Sequence, residues 1–231
     1  MRNCLPSVPL SALDVSDSSP DVFLWKNSHD LPPGNFSAAK TWKSLYPPLP
    51  LVSWHNSVWY KEHIPKHAFI LWLAVQNRLV TRDRLRSWGL NVSEVCLLCG
   101  AAAETRDHLF FNCLYSEAVW SAFFNHGTLT PPSNFNEVVS WVASPFTSVK
   151  IKTICRLIFQ AVVYFIWAER NARLHTPSTK ASHILVKEIQ LILRAKLSGL
   201  DRTTHASSHA SLLSTVHQPS FIYTWFEFFQ I

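Results

Sequence analysis

The sequence predicts a mainly α-helical chain built around a metal-binding loop, with a short N-terminal β-hairpin and a C-terminal helical hairpin. Three observations carry this. Ten Trp and fifteen Phe against five Gly in 231 residues suit a packed, aromatic-rich helical body rather than a repeat array. Long stretches on either side of the middle place apolar residues at helical spacing. Between them, Cys96, Cys99, His108 and Cys113 fall within one short window.

Taken in order, residues 1–20 are rich in Ser, Pro and Asp and read as a disordered leader. Pro6, Ser7 and Pro9 interrupt any apolar core there, so a secretory signal is not expected. Asp21 to Trp25 is short, aromatic and β-branched, and a turn-forming stretch from Asn27 to Asn35 leads to a second extended piece at Phe36. Together they predict the hairpin. Ser37 is placed to cap a helix through Ala38, Trp42 and Leu45 that Pro47 and Pro48 stop. Trp54, Val58 and Trp59 recur at helical spacing. Pro65 can open the next helix, residues 66–77, which is apolar nearly all round and is expected to be central. Thr81 caps a shorter helix that Gly89 ends in a left-handed conformation.

Beyond the metal window, Ser116 reads as the cap of a helix from Glu117 to Phe124. The zinc-binding domain is assigned residues 21–126, and Gly127, Pro131 and Pro132 place a linker at 127–148. A helical hairpin, 149–199, turns at Pro177 and stops at Gly199. Residues 200–231 form a mobile segment with an aromatic tail, which would dock on the core, pair as a strand, or be an aggregation liability. The longest apolar run, Leu157 to Ala168, would reach only about 18 Å as a helix against a roughly 30 Å hydrocarbon core. It reads as a buried helix, and no membrane partner is expected.

The four-residue window carries the chemistry. Two cysteines separated by two residues can aim both sulfurs at one point, and a histidine and third cysteine complete a Cys₃His set. Thiolates are soft ligands and four protein donors leave no vacancy, so the implied cofactor is a structural Zn²⁺. The rival reading is buried cysteines beside a surface histidine; His126 is a weaker substitute for His108. Glu104 and Asp107 flank the site as solvated charges, or one of them orients His108. Cys4 and Cys155 are left as a terminal thiol and a core residue. This cysteine usage suits a reducing, intracellular compartment.

Twenty-one Lys and Arg against fifteen Asp and Glu give a net charge of +6, a modest bias toward an anionic partner. Three thiolates and a neutral imidazole around Zn²⁺ leave the site itself negative, so phosphate contacts would fall to surrounding cations. The candidates are Arg78, Arg82, Arg84 and Arg86, with Lys61, Lys66 and a stacking Trp88 nearby. The competing reading makes them the solvent faces of two helices. Catalysis is not expected: there is no adjacent Asp pair, clustered carboxylate set, P-loop, Gly-rich nucleotide fingerprint or nucleophile elbow. His205, His209 and His217 read as decoration of a polar segment.

The ordered run of W-x₄-W from Trp54, HIPKHAFILWLAVQNRLVTRDRLRSWGL, CLLC, ETRDHLFFNC and YSEAVW resembles the zinc-binding domain that follows the reverse transcriptase domain of plant non-LTR (LINE-type) retrotransposons. Upstream DVFLW and GNFSAAKTW, and downstream FIWAERNARLH, extend the likeness over roughly residues 20–176. The resemblance implies Cys96, Cys99, His108 and Cys113 as metal ligands. It also implies RNA or DNA and a separately encoded reverse transcriptase domain as candidate partners. The Cys-to-His gap differs from the retroviral nucleocapsid knuckle, so that module's single-strand binding mode does not carry over. The polymerase and endonuclease domains of such elements are absent, and the aromatic tail lies outside the pattern. The chain therefore reads as a detached or domesticated piece, or a remnant of a decayed element, with a zinc-stabilised protein-interaction domain as the alternative.

Overall fold

The computed structural model describes residues 24–26, 32–46, 50–125, 129–144, 146, 148–208 and 219–229. The expected leader, His126, His209 and His217 lie outside them. The chain divides into two compact units, Met1–Leu51 and Val52–Ile231, and is mainly helical.

In the first unit the hairpin is not formed as expected. Trp25 and Gly34 exchange two backbone hydrogen bonds of 2.6 and 3.0 Å in a single isolated antiparallel bridge. Pro32 and Pro33 have no N–H to extend the ladder toward the turn, and no strand exists among the described residues of this unit. The helix α1, Ala38–Leu45, follows with Ser37 as its N-cap, the hydroxyl accepting from the Lys40 N–H. None of its residues is buried, and Trp42 and Leu45 are exposed.

The second unit is built around α7, Val149–His175. It packs against α2 (His55–Val58), α3 (Pro65–Val75), α5 (Leu114–Ser121), α6 (Phe135–Ala143), α8 (Ser182–Ser208) and α9 (Phe221–Phe228). The expectation that residues 66–77 form the central helix is therefore corrected. Only His67, Ala68, Leu71 and Ala74 of α3 are buried, a single stripe at helical spacing facing α7, while Phe69 is exposed. By length and composition α7 could cross a membrane, but two thirds of its apolar window is buried inside the protein, so it serves as a core helix. Cys155 lies in that core, as expected.

Two further departures follow from packing. Within the stretch read as a linker, Asn134 caps α6, whose Phe135, Val138 and Val142 are buried. Gly199 does not stop α8, which runs on to Ser208. A glycine inside a helix costs only about 1 kcal/mol, and buried Leu197 and partly buried Leu200 on either side hold it. The aromatic tail docks as α9. The Asp201 carboxylate of α8 accepts from the N–H groups of Phe221 and Ile222 at 2.7 and 3.0 Å, and Ser220 caps Tyr223. Trp225 and Phe229 are fully buried against Phe123 and Phe124.

His67 is fully buried between Tyr164 and Phe165, and neither ring nitrogen has a hydrogen-bond partner. Burial, with a smaller push from Lys66, lowers its pKa from 6.5 to about 4. A depressed base means the unfolded chain takes up the proton first, so stability is complete above pH 6.5 and falls as pH drops toward 4. His67→Phe should therefore lose less stability than the wild type between pH 7.5 and 5, by about 2 kcal/mol. Urea denaturation of both proteins at the two pH values checks this, and the difference between them cancels any pH dependence of a metal site.

Candidate metal centre

The window opens with a tight loop. Cys96 N–H donates to Ala102 and Glu104 N–H to Glu94, closing a bridge between Val95 and Ala103 that holds the loop's two ends together. Gly100, directly after Cys99, returns its N–H to Cys96 and adopts φ +69°, a conformation that costs other L-residues roughly 1–2 kcal/mol. The Leu98 N–H points at Cys96 Sγ, 3.4 Å away.

The other two residues are brought together by an irregular helix. The Thr105 hydroxyl accepts from the His108 N–H, and residues His108–Asn112 then form a π turn closed by a 2.8 Å bond from Cys113 N–H to the His108 carbonyl. Residues five apart on an α-helix point about 140° away from each other. The wider π turn puts His108 and Cys113 on one side, which is why this five-residue spacing serves a common point. Cys113 rather than Ser116 is the cap residue of α5, and the buried Ser116 hydroxyl instead donates to the Leu109 carbonyl at 2.6 Å.

As a result the ligand atoms of Cys96, Cys99, His108 and Cys113 all lie within 4.8 Å of one another. His108 Nε2 is 3.3 Å from Cys99 Sγ. A tetrahedral zinc needs its S and N donors about 3.5–3.8 Å apart, so small side-chain adjustments fit the cluster to the ion. The side-chain hydrogen bond between Cys96 and Cys113, with burial, holds the Cys96 thiol above its ordinary range, while the same hydrogen bond lowers Cys113.

This arrangement is the observation that makes the family comparison meaningful. Residues 36–120 match the family model for zinc-binding in reverse transcriptase. The match contains all four converging side chains, and both findings point to a metal site, with zinc the ion the donor set suits. No curated protein and no solved structure gives a match.

The surroundings of this four-residue cluster differ from the sequence reading. Glu104 is not a solvated flank. It is fully buried, its Oε1 accepting from Arg170 Nη2 at 2.6 Å, Arg170 Nε at 3.1 Å and the Arg82 N–H at 3.1 Å, and its Oε2 accepting from the Leu97 N–H at 3.4 Å. Asp107 is paired with Arg106. Arg173, one turn beyond Arg170, donates through Nη1 to the carbonyls of Leu97 and Leu98 at 3.3 and 2.9 Å. Sequence reasoning missed all three contacts. Arg170 continues the i, i+4 row of buried Val162 and Ile166 on α7, with Arg173 three residues further on, and a charge on an apolar row is the signal that could have found them.

The candidate basic residues divide into two kinds. In α4, Arg82–Ser87, Arg82 and Arg86 spend donors on the carbonyls of Val95 and Val92, at 2.6 and 3.2 Å, and so hold the incoming loop. Arg84 lies over the exposed Trp88 ring at 5.2 Å, and Arg78 is exposed. Thr81 precedes α4 as expected, but its hydroxyl bonds the Asp83 carboxylate rather than a backbone N–H. Gly89 ends the segment at φ +84°.

Proposed function

We propose that this chain is a non-enzymatic zinc-binding module of plant non-LTR retroelement origin, in which Cys96, Cys99, His108 and Cys113 hold one structural Zn²⁺. The observation that carries it is the convergence of those four ligand atoms inside the matched span. When bound, the ion would cross-link the CLLC loop to the π turn and supply no open coordination position for substrate.

The finer part of the proposal is RNA or DNA binding through the α4 face. Arg84 stacked on exposed Trp88 offers a charge and a ring side by side, suited to phosphate and base. Because Arg82 and Arg86 are tied to loop carbonyls, the informative variant is Arg78→Gln with Arg84→Gln. Its binding to single-stranded RNA or DNA should weaken, and the slope of log affinity against log salt should become shallower by about 1–2, one phosphate contact for each charge removed. An unchanged affinity at low salt would favour the second reading, a protein-interaction domain, for which the exposed Trp42, Leu45 and Tyr46 of unit one speak. Primer-extension and nuclease assays with Mg²⁺ should be negative.

A further inference from the structure

We propose that Arg173 of α7 is a positioning residue for the metal centre, setting its affinity from outside the residue 36–120 match. This rests on the zinc reading of the four-residue cluster. The Leu97–Leu98 peptide unit lies between the guanidinium and a ligand sulfur. Its carbonyl accepts from Arg173 Nη1 at 3.3 Å, and its N–H points at Cys96 Sγ at 3.4 Å. The next carbonyl, that of Leu98, accepts from the same Nη1 at 2.9 Å.

A cation on the oxygen end of a peptide polarises its N–H end, so the charge of Arg173 strengthens the hydrogen bond to the thiolate of Cys96. A site of three thiolates and an imidazole carries net negative charge, and a nearby cation offsets it. The guanidinium is held in place for this role. Nε donates to Glu169 at 2.8 Å, Nη2 donates to the Lys180 carbonyl at 3.0 Å, and the group lies 4.7 Å over the Tyr115 ring. On the other side of the loop the Leu97 N–H is fixed by Glu104, itself gripped by Arg170. Two side chains one turn apart on α7 thus clamp the two residues between Cys96 and Cys99.

The test uses the full chain, loaded with Zn²⁺ or Co²⁺, in wild type, Arg173→Met, Arg173→Lys and Glu188→Gln forms. Chelator competition should show about 10- to 100-fold weaker Zn²⁺ binding for Arg173→Met. It should show an intermediate loss for Arg173→Lys, which keeps a charge and one donor. Glu188→Gln removes one charge of the exposed Lys180–Glu188 ion pair beside the hairpin turn but leaves the guanidinium and loop contacts, and should stay within about twofold of wild type. In the Co²⁺ proteins the thiolate-to-metal charge-transfer band should move to lower energy in Arg173→Met and by less in Arg173→Lys, because a thiolate that has lost hydrogen-bond support gives up its electron more readily, and it should not move in Glu188→Gln. Should Arg173→Met not fold, the Arg173→Lys affinity and band position decide. Equal affinity in wild type and the Arg173 variants, or equal losses in Arg173→Met and Glu188→Gln, would overturn the inference while leaving the zinc reading intact. A wild type that binds neither metal would overturn both.

Discussion

Glu104→Ala is expected to destabilise the residue 52–231 unit by about 3–5 kcal/mol, because it leaves the Arg170 guanidinium buried without its partner. The carboxylate has no exposed surface and joins three parts of the chain: the start of α4, the CLLC loop and α7. Breaking one side of such a pair costs more than removing both sides. The double variant Glu104→Leu, Arg170→Leu should therefore recover a large part of the loss, since an ion pair replaced by apolar groups of similar volume is often close to neutral. Urea denaturation of Glu104→Leu, Arg170→Leu and the double variant gives the coupling. A loss below about 1 kcal/mol for Glu104→Ala would mean that the pair contributes no more than a surface contact.

Metal removal is the second large effect. With free Zn²⁺ a thousandfold above its dissociation constant, a folded-state site contributes about 4 kcal/mol. For a unit of this size, each kcal/mol moves the melting temperature by about 2–4 °C. Chelation should lower the wild-type midpoint by about 8–16 °C. In a Cys96→Ser, Cys99→Ser variant the same chelator should do almost nothing. Most of the core around α7 comes from residues other than the four ligands, so helical structure in α3, α7 and α8 should outlast the loop.

Local chemistry made part of this legible in the sequence. The Cys₃His set announced itself by residue type and spacing, and Ser37, Pro65, Gly89 and the start of α7 marked element boundaries because caps and helix-stop residues act within a few residues of themselves. What depends on distant partners was not legible. Glu104 has the look of a solvated loop charge until α7 brings Arg170 to it from sixty-six residues away. Gly199 has the look of a helix stop until the docked α9, capped by Asp201, makes continuation of α8 worth its cost. Part of the reason for the missing hairpin was local and present in the sequence, since Pro32 and Pro33 deny donors to a ladder running from the Trp25–Gly34 bridge toward the turn.

The central claim, a closed site made by Cys96, Cys99, His108 and Cys113, is tested most directly by native mass spectrometry of the intact chain against the Cys96→Ser, Cys99→Ser variant. The account predicts one Zn²⁺ per wild-type chain and none retained by the variant. Equal zinc in both, or none in a folded wild type purified with zinc present, would contradict it.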